Sequence, residues 1–499
     1  MVTEKQFKLL RFMLTHKENT FTQRQLAEEL GLSVGTVNTL LKKLKEEKWI
    51  DEEHHLTELG QKVLEPYRVE NAIIMAAGMS SRFAPLSYEI PKGLLQVKGE
   101  RLIEREIRQL QEAGIEDITV IVGYLQEKMF YLAEKFGVKI VVNNDYYKYN
   151  NCSSLMLVKD QLSNTYICSS DNYFVENPFE QYIYRGYYST IFAEGQTDEY
   201  CAIEDSNNTI IDIQIGGENT WAMVGHVYFD RAFSEKFKEI LETEFKHEPY
   251  REQLWEDYYS RHVKELLLEA RHYSADIVKE FDSLDELRQF DERYLVNADS
   301  AIIDNICKTL KCVASDIVNI KPLKDGLTNT SFSFDCLGKK YVYRHPGRGT
   351  ENYIDRASEA ASMEIAAKLK IDRTFVAMNK DEGWKISEFI PNAKQLDYDN
   401  WDDVAQAMDL LRRLHQSGEK TEHSFDQFEG IDDFREKLKA RNRFEFDGLE
   451  ELDETVSLLK NYLQNEPKQV VLCHGDSYSP NFLLNEAGEM SLIDWEYSG

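Results

Sequence analysis

Two basic residues in the middle of the chain, Arg82 and Lys92, have the setting of phosphate ligands. They follow an apolar segment that ends in a turn of small residues, namely Ala76, Ala77, Gly78 and Ser81. Small residues let backbone N–H groups approach phosphate oxygens closely, and an arginine can add a bidentate clamp. A fixed ammonium stabilises the charge that develops when a phosphorus atom is attacked, so Lys92 is the first catalytic candidate and Arg82 the second. The segment predicts a triphosphate site.

Carboxylates that could hold Mg²⁺ come from two later segments. Asp171 stands at the end of a predicted apolar strand, where open α/β sheets present their ligands. Glu280 and Asp282 lie in the segment KEFDS. Hard oxygen ligands suit octahedral Mg²⁺, which the phosphates of a nucleotide would otherwise hold.

A second set of polar residues near the C-terminus fits phosphoryl transfer. Asp476 follows His474 and Gly475, Asn481 comes five positions later, and Asp494 follows a second short strand. Phosphoryl transfer needs an acid near the attacked hydroxyl group and metal ligands for the nucleotide. The spacing predicts Asp476 as the base and Asn481 with Asp494 as Mg²⁺ ligands.

Residues upstream of this set could hold the nucleotide. Gly326 lies in a GLTN turn between predicted strands, which could cover phosphates, and Arg344 lies where a cation could meet the α- and β-phosphates. Glu359 on a predicted helix is expected to pair with Arg344. Glu364 is the competing candidate for that pairing.

The elements that must position the first set alternate between strands and helices from residue 70 to about 297. Predicted strands lie in AIIMAAG, ITVIVGY, VKIVV and TYICSSDN, and a helix over 102–113 ends at Gly114. Alternation of this kind predicts a central α/β domain, Rossmann-like, with a mostly parallel sheet covered on both faces.

The first 66 residues are predicted to form a separate, mostly helical domain. Thr22 with Gln25 is a capping-box pattern that opens a helix, Ser33 caps a third helix, and a short polar hairpin-like stretch leads into LTELG. This order resembles the winged helix-turn-helix of bacterial regulators. The resemblance implies a face that would meet DNA, formed by Thr36, Asn38, Thr39, Lys42, Lys43 and Lys45. Acidic residues crowd the same region, so a packing or ligand-sensing module is the alternative to DNA binding.

The string AAGxxSRFxPLxxxxPKxLLxV, over residues 76–97, resembles the signature of nucleoside-triphosphate transferases that activate sugar phosphates and choline phosphate. Across residues 70–297 the chain looks like the bacterial CTP:phosphocholine cytidylyltransferase branch. The resemblance assigns Asp171, Glu280 and Asp282 to the metal, and it implies cytidine recognition by Gly123, Tyr124, Asn151 and Ser154.

The same resemblance locates an amine-binding segment at Tyr200, Trp255 and Glu256. A trimethylammonium group is held by aromatic faces and a nearby carboxylate. Leu254 stands where relatives have an aromatic residue, and Tyr200 replaces a larger ring. Phosphoethanolamine and 2-aminoethylphosphonate therefore stay open as substrates beside phosphocholine.

Residues 298–499 resemble choline/ethanolamine kinases and aminoglycoside phosphotransferases through the HGDxxxxN and IDWE motifs. This implies an α+β, protein-kinase-like domain that binds ATP and choline. The chain stops five residues after Asp494, whereas relatives continue with helices that line the choline site. We therefore expect an incomplete domain with little choline kinase activity.

Composition limits the remaining possibilities. A length of 499 residues predicts several domains, and the net charge of −29 opposes binding to nucleic acid or anionic lipid except through a local patch. We find no apolar run long enough to span a bilayer and no signal-peptide pattern, so a cytoplasmic, non-membrane protein is expected.

The combined prediction is a cytidylyltransferase that makes CDP-choline and pyrophosphate, supplied with phosphocholine by the kinase-like domain. A cytidylyltransferase for an aminophosphonate or a sugar phosphate is the alternative enzyme. A DNA-binding regulator that uses enzyme-like domains as ligand sensors is the alternative from another class.

Overall fold

The computed structural model describes residues 2–16, 21–281, 283–296, 298–323, 329–347, 349–441, 443, 447–464 and 469–499. The chain forms two compact units, Met1–Asp291 and Glu292–Gly499. Within the described residues, every helix is too short or too polar to cross a lipid bilayer.

The N-terminal helices begin where the sequence predicts caps. The Thr22 side chain accepts a hydrogen bond from the backbone N–H of Gln25, and the Gln25 side chain accepts one from the backbone N–H of Thr22, which completes a capping box. Ser33 and Thr57 cap the next two helices. A bridge between Ile50 and Leu56 closes the short wing. The helices of this region are α1 (Glu4–Thr15), α2 (Gln23–Glu29), α3 (Val34–Glu46) and α4 (Glu58–Leu64).

Gly60 explains the glycine of the LTELG segment. A Cβ atom at this position would lie 2.1 Å from the backbone oxygen of Trp49, so helix α4 can pack on the wing only with a glycine there. The predicted order of helices and wing is confirmed, and it forms a winged helix.

The winged helix packs directly on the following domain. The Tyr184 hydroxyl donates to the backbone oxygen of Val2 at 3.0 Å, and the Tyr184 and Tyr67 rings stack at 5.4 Å. Arg11 pairs with Glu180 at 2.8 Å and donates to the Tyr182 carbonyl. Tyr182 and Tyr184 thus belong to the hydrophobic cluster of the winged helix.

The central domain is built on a seven-stranded sheet of order β10-β8-β9-β6-β1-β4-β5. Strands β6, β1, β4 and β5 run parallel, and β9 joins β6 antiparallel. Separate hydrophobic clusters cover the two faces. A mostly parallel sheet covered on both faces is thus confirmed. The strands are β1 (Asn71–Ala76), β2 (Gln96–Val97), β3 (Glu100–Arg101), β4 (Ile118–Val122), β5 (Lys139–Val142), β6 (Thr165–Ser169), β7 (Asn172–Phe174), β8 (Tyr187–Glu204), β9 (Ile210–Phe229), β10 (Glu269–Tyr273) and β11 (Val278–Glu280).

Helices connect these strands and supply the covering layers. The helix predicted over 102–113 is present as α6, and Gly114 adopts φ +81° at its end. The helices are α5 (Leu86–Glu89), α6 (Leu102–Glu112), α7 (Tyr131–Phe136), α8 (Asn151–Leu157), α9 (Arg231–Glu244), α10 (Glu248–Arg251), α11 (Trp255–Arg261) and α12 (Leu284–Phe290).

The second unit begins with α13 (Arg293–Val296) and α14 (Ala301–Leu310) and contains a five-stranded antiparallel sheet of order β12-β13-β14-β16-β15. Strands β13 and β14 are the predicted SFSFDC and KYVYRH segments. Its strands are β12 (Val318–Pro322), β13 (Asn329–Cys336), β14 (Lys339–Pro346), β15 (Phe375–Met378), β16 (Lys385–Glu388), β17 (Lys394–Gln395), β18 (Phe482–Leu484) and β19 (Met490–Leu492), and its later helices are α15 (Arg356–Lys368), α16 (Trp401–His415), α17 (Gln427–Ala440) and α18 (Leu449–Gln464).

One predicted strand of this unit is wrong. The apolar segment VVLC before His474 has no regular strand in the structure. Its backbone pairs with Gly499 at Cys473 alone, and a ladder needs a longer run of partners. The apolar composition of this segment therefore reflects the burial of Leu472 in the core and not the pairing of a strand.

Candidate functional site

The carboxyl ends of the parallel strands line a cavity of about 210 Å³ in the first unit. Strand β1 ends at Ala76, β5 at Val142 and β6 at Ser169, so the segments that follow them meet at one edge of the sheet. The structure brings most of the predicted nucleotide and catalytic residues to this cavity, which is lined among others by Ala76, Ala77, Gly78, Lys92, Asn151, Ser154 and Asp171.

Lys92 and Asp171 form an ion pair at the centre of this site. The Lys92 ammonium lies 2.8 Å from Asp171 Oδ2, and the two side chains are 7% and 20% exposed. The other carboxylate oxygen, Asp171 Oδ1, is buried and has no hydrogen-bond partner within the described part of the chain. An unsatisfied carboxylate oxygen on a residue that lines the cavity is a suitable ligand for Mg²⁺.

Arg82 and Ser81 lie on the turn Ser81–Phe83 at the rim of the cavity and outside its lining. The Arg82 side chain is 76% exposed, and its Nη1 lies 3.9 Å from Glu199 Oε1 on strand β8. The predicted clamp is thus close to the site without contacting Lys92 or Asp171 in any described hydrogen bond.

Gly123 and Tyr124 join the end of strand β4 to the small-residue turn. The Tyr124 backbone N–H donates to the Ala77 carbonyl at 3.0 Å, and a Cβ atom at Gly123 would lie 2.8 Å from the same oxygen. The glycine therefore permits a close approach that supports the turn from behind.

Asn151 connects the cavity to the predicted amine-binding segment. Its side chain accepts from the Trp255 backbone N–H at 2.7 Å and donates to Glu256 at 3.3 Å, and the Tyr188 hydroxyl donates to the other Glu256 oxygen at 3.0 Å. Burial raises the pKa of Glu256 to about 7. This carboxyl therefore titrates near neutral pH beside the nucleotide cavity.

The two aromatic residues predicted to hold the amine lie apart from the cavity lining. The Trp255 side chain is 1% exposed and stacks on Tyr188 at 5.6 Å within a core cluster. The Tyr200 hydroxyl donates to Asp257 at 2.8 Å. Their assignment to substrate stays a prediction.

Of the two remaining predicted metal ligands, the structure describes only Glu280. Glu280 ends strand β11, whose antiparallel register places it opposite Asn172, the residue after Asp171. Its side chain is exposed and does not line the cavity. Asp282 lies outside the described residues.

In the second unit, the motif residues Asp476, Asn481 and Asp494 come together. Asn481 donates to the Asp476 carboxylate at 3.2 Å, and the carbonyl of Asn481 accepts from Ile493, the residue before Asp494. Burial raises the pKa of Asp494. Gly475 has φ +83°, and a Cβ atom there would collide with the Tyr497 carbonyl at 2.0 Å.

Arg344 pairs with Glu359 and not with Glu364, which is exposed. Glu359 is fully buried; burial alone would raise its pKa, but Arg344 and Lys385 hold that pKa at about 2. Arg356 joins Glu359 at 2.9 Å to Glu496 at 2.6 Å. Gly326, predicted to cover phosphates, lies outside the described residues.

The face of the winged helix that was predicted to meet DNA is largely exposed. Asn38, Thr39, Lys42 and Lys43 are exposed, whereas Lys45 bonds Glu52 at 3.1 Å. DNA binding stays a prediction.

Comparison with known proteins identifies relatives of the central domain. Residues 72–191 match the model of the MobA-like NTP transferase domain. A choline-phosphate cytidylyltransferase of Streptococcus pneumoniae is 34% identical over 221 residues, which are 44% of this chain and 96% of that protein. A 2-aminoethylphosphonate cytidylyltransferase of Lancefieldella rimae is 36% identical over 229 residues, 45% of this chain and 93% of that protein. The chain belongs to this nucleotidyltransferase family.

The nucleotidyltransferase carries two further domains with known relatives. Residues 320–499 match the choline/ethanolamine kinase model, and residues 12–78 match a model described as wHTH-PRTase associated. A choline kinase structure from Streptococcus pneumoniae shares 25% identity over 40% of this chain and 68% of that chain, with a TM-score of 0.35. The predicted three-domain layout is confirmed.

Sequence reasoning missed several residues that line the cavity of the nucleotidyltransferase, among them Asn143, Ser169 and Ser170. Asn143 directly follows strand β5, and Ser169 ends strand β6. The rule that identified Asp171, that ligands lie at the carboxyl ends of parallel strands, would have identified all three. In the second unit, the buried Lys385 was also missed.

Proposed function

We propose that the central domain transfers CMP from CTP to phosphocholine, giving CDP-choline and pyrophosphate. The buried Lys92–Asp171 pair in the cavity at the carboxyl ends of the parallel strands is the observation that supports catalysis. The two relatives described above are named for choline phosphate and 2-aminoethylphosphonate, which both combine an amine with a phosphorus acid. The predicted boundaries of 1–66, 70–297 and 298–499 are part of this proposal.

The reaction forms one bond and breaks one bond at the α-phosphorus of CTP. A phosphate oxygen of the substrate attacks this phosphorus, and the bond to the bridging oxygen of pyrophosphate breaks. The Lys92 ammonium stabilises the charge that builds up on the phosphoryl oxygens, and the N–H groups of the 76–78 turn hold the triphosphate. In this proposal, Arg82 at the rim would contact the leaving pyrophosphate.

The oxygen Asp171 Oδ1, unpaired within the described residues, suits Mg²⁺, and Glu280 and Asp282 stay the predicted further ligands. When bound, the ion would neutralise phosphate charge and orient the triphosphate. Gly123 and Tyr124, with Asn151 and Ser154, would recognise the cytidine.

The kinase-like domain would supply the phosphocholine from ATP and choline. Asp476 is placed to accept the proton of the choline hydroxyl, while Asn481 and Asp494 would hold Mg²⁺ against the nucleotide. The two domains would then perform consecutive steps on one small amine, from nucleotides found in the cytoplasm.

The test is pyrophosphate release by the purified chain with CTP, UTP, GTP or ATP and a panel of acceptors. Phosphocholine, phosphoethanolamine, 2-aminoethylphosphonate and a sugar 1-phosphate cover the alternatives. We expect activity only with CTP, and the highest kcat/KM with phosphocholine. Preference for UTP or for the sugar phosphate would contradict the proposal.

An aminophosphonate or primary amine is the second candidate acceptor. The observation that favours it is that the Trp255 ring is buried in the core, whereas the Glu256 carboxylate is hydrogen-bonded to Asn151, a residue of the cavity lining. Cation–π contact with a quaternary ammonium contributes about 1 to 2 kcal/mol, and a primary ammonium relies on hydrogen bonds to a carboxylate instead. Equal or reversed kcat/KM for phosphocholine and phosphoethanolamine would select this candidate.

A further inference from the structure

Both terminal nitrogens of the Arg344 guanidinium, Nη1 and Nη2, donate to protein partners. Nη1 donates to Glu359 and to Glu496 Oε1 at 3.5 Å, while Nη2 donates to Glu359 at 2.9 Å and to the Gly383 carbonyl at 3.2 Å. The side chain is 7% exposed. Only Nε, itself buried, has no acceptor within the described part of the chain. Arg344 therefore holds helix α15 and the IDWE segment in place.

Lys385 is the neighbour of Arg344 on the adjacent strand. Unlike Arg344, it forms no hydrogen bond through its side chain to any described residue. The register of strands β14 and β16 places the two residues directly opposite each other, so their side chains lie on one face of the sheet. The Lys385 side chain is 11% exposed, and its ammonium lies 3.8 Å from Glu359 Oε1, beyond hydrogen-bond distance. Across the described residues, this ammonium makes no hydrogen bond.

The Lys385 ammonium therefore has donors that no described protein group uses, and a ligand that enters the cleft can accept hydrogen bonds from them. The Lys385 ammonium lies 3.8 Å from the α15 carboxylate of Glu359, and it interacts electrostatically with Arg344 and with the predicted metal ligand Asp494. Phosphate oxygens that such a metal contacts would come within its reach. An ammonium suits this role because it is a compact point charge with three rotatable donors.

We propose that Lys385 is the residue that binds the phosphate chain of the nucleotide beyond the α-phosphate in the kinase-like domain, and that Arg344 is a positioning residue. This inference rests on the proposed binding of ATP by that domain. It does not require that choline is phosphorylated.

A purely structural role for Lys385 makes a different prediction. Asp372 is 2% exposed, its Oδ2 has no hydrogen-bond partner within the described residues, and Lys385 contributes to its electrostatic surroundings. If Lys385 served only to balance such buried carboxylates, its loss would disturb the whole cleft. Binding of every adenine nucleotide would then weaken by the same factor.

The experiment compares binding of ATP, ADP and AMP to the full-length chain by calorimetry in the presence of Mg²⁺. The variants are Lys385→Met, Lys385→Arg and, as a matched control, Lys420→Met at an exposed lysine of the same unit. We expect Lys385→Met to weaken ATP and ADP at least tenfold and AMP less than twofold. Lys385→Arg should retain part of the difference, and the control should behave as wild type.

Unchanged ATP affinity in Lys385→Met, or an equal loss for ATP and AMP, would overturn the assignment. If Lys385→Met fails to fold, the ratio of ATP to AMP affinity in Lys385→Arg decides, because a structural role leaves that ratio as in wild type. Wild-type protein that binds ATP without phosphorylating choline would refute the kinase proposal and leave the Lys385 assignment standing. Wild-type protein that binds no adenine nucleotide would refute both.

Discussion

Lys92 and Asp171 are the residues whose chemistry is most directly readable from the structure. Their side chains approach to 2.8 Å at the floor of the cavity, and the Lys92 ammonium is almost completely buried. A charge held in place before the substrate arrives costs no reorganisation during the reaction. Both residues can be tested separately because each has a distinct role in the proposed transfer.

Lys92→Ala should lower turnover roughly a hundredfold or more, since it removes charge stabilisation of about 3 kcal/mol from the transition state. Steady-state kinetics with CTP and phosphocholine measure the loss. Lys128→Ala, at an exposed lysine on the turn Gln126–Lys128, is the control and should be unaffected. Wild-type turnover in Lys92→Ala would remove the residue from the mechanism.

Asp171→Asn should abolish the response of activity to Mg²⁺, because a neutral amide cannot replace an anionic oxygen ligand. A magnesium titration at saturating CTP checks this expectation. Asp145→Asn, at a carboxylate on the loop after strand β5, is the control. An unchanged titration in Asp171→Asn would show that the metal is held elsewhere.

Glu256 predicts a pH dependence of substrate binding. Burial raises its pKa to about 7; nearby Asp257 raises it, while hydrogen bonds from Asn151 and Tyr188 lower it. The carboxylate that attracts an ammonium is therefore present above pH 7, and kcat/KM should rise roughly tenfold from pH 6 to pH 8. Glu256→Gln should flatten this rise above pH 6.5, where the substrate phosphate is already mostly ionised.

The raised pKa of Glu256 also predicts how the stability of the folded protein changes with pH. A carboxyl whose pKa is raised in the folded state contributes stability that is present below about pH 4.5 and lost as the pH rises through 7. Glu256→Gln should therefore be more stable than wild type at pH 8 and show a smaller advantage at pH 5. Thermal unfolding at the two pH values checks the sign, and an advantage that grows toward low pH would contradict it.

At the scale of elements, the site is made by strand ends and the turns that follow them. The sequence predicted these ends well, because apolar runs such as ITVIVGY and the glycine after helix α6 mark parallel α/β units. It located Lys92 and Asp171 at one edge of the sheet, but not the side chains that surround them. The pairing of Lys92 with Asp171, and the burial of Trp255 in the core, depend on packing between segments far apart in sequence.

The kinase-like unit shows the same limit. Arg344, Glu359, Asp476 and Asn481 were found by motif and spacing; the structure pairs Arg344 with Glu359, as predicted, and also brings Asn481 to Asp476. Lys385 was missed because a single lysine on a short strand has no local signal. Its importance appears only when the register sets it opposite Arg344.

Gly123→Ala tests the close packing of two of these turns. The new methyl group would lie 2.8 Å from the Ala77 carbonyl and from Tyr146, so the turn must shift, at a cost of about 1 to 3 kcal/mol. We expect a lower unfolding temperature and a higher KM for CTP. Gly78→Ala is the matched control for stability, because its Cβ would meet nothing within 4 Å. Equal unfolding temperatures for the two variants would contradict the packing argument.

At the scale of the whole molecule, the winged helix is part of the same compact unit as the nucleotidyltransferase domain. The Arg11–Glu180 pair is exposed in part and contributes little, whereas the stacked Tyr67 and Tyr184 rings bury apolar area. The contact is therefore held mainly by the aromatic residues.

Tyr184→Ala should loosen this contact, lowering stability by about 2 kcal/mol through lost burial and the lost hydrogen bond to Val2. Limited proteolysis should then release the winged helix faster than from wild type. Tyr147→Ala, at a tyrosine that is 77% exposed, is the control. Identical cleavage rates would show that other contacts hold the domain.

The ion pair between Lys92 and Asp171 has a consequence for the order in which ligands arrive. Without ligands, the Lys92 ammonium neutralises Asp171 through Oδ2, while Oδ1 has no hydrogen-bond partner within the described residues. In the proposed reaction, metal alone would add a second cation beside Lys92, and nucleotide alone would add anions beside Asp171. We therefore expect the two ligands to enter as one complex, each exchanging partners with a residue that was already neutralised. Binding of the metal and binding of the nucleotide would then favour each other, and CTP without metal should bind weakly to the site.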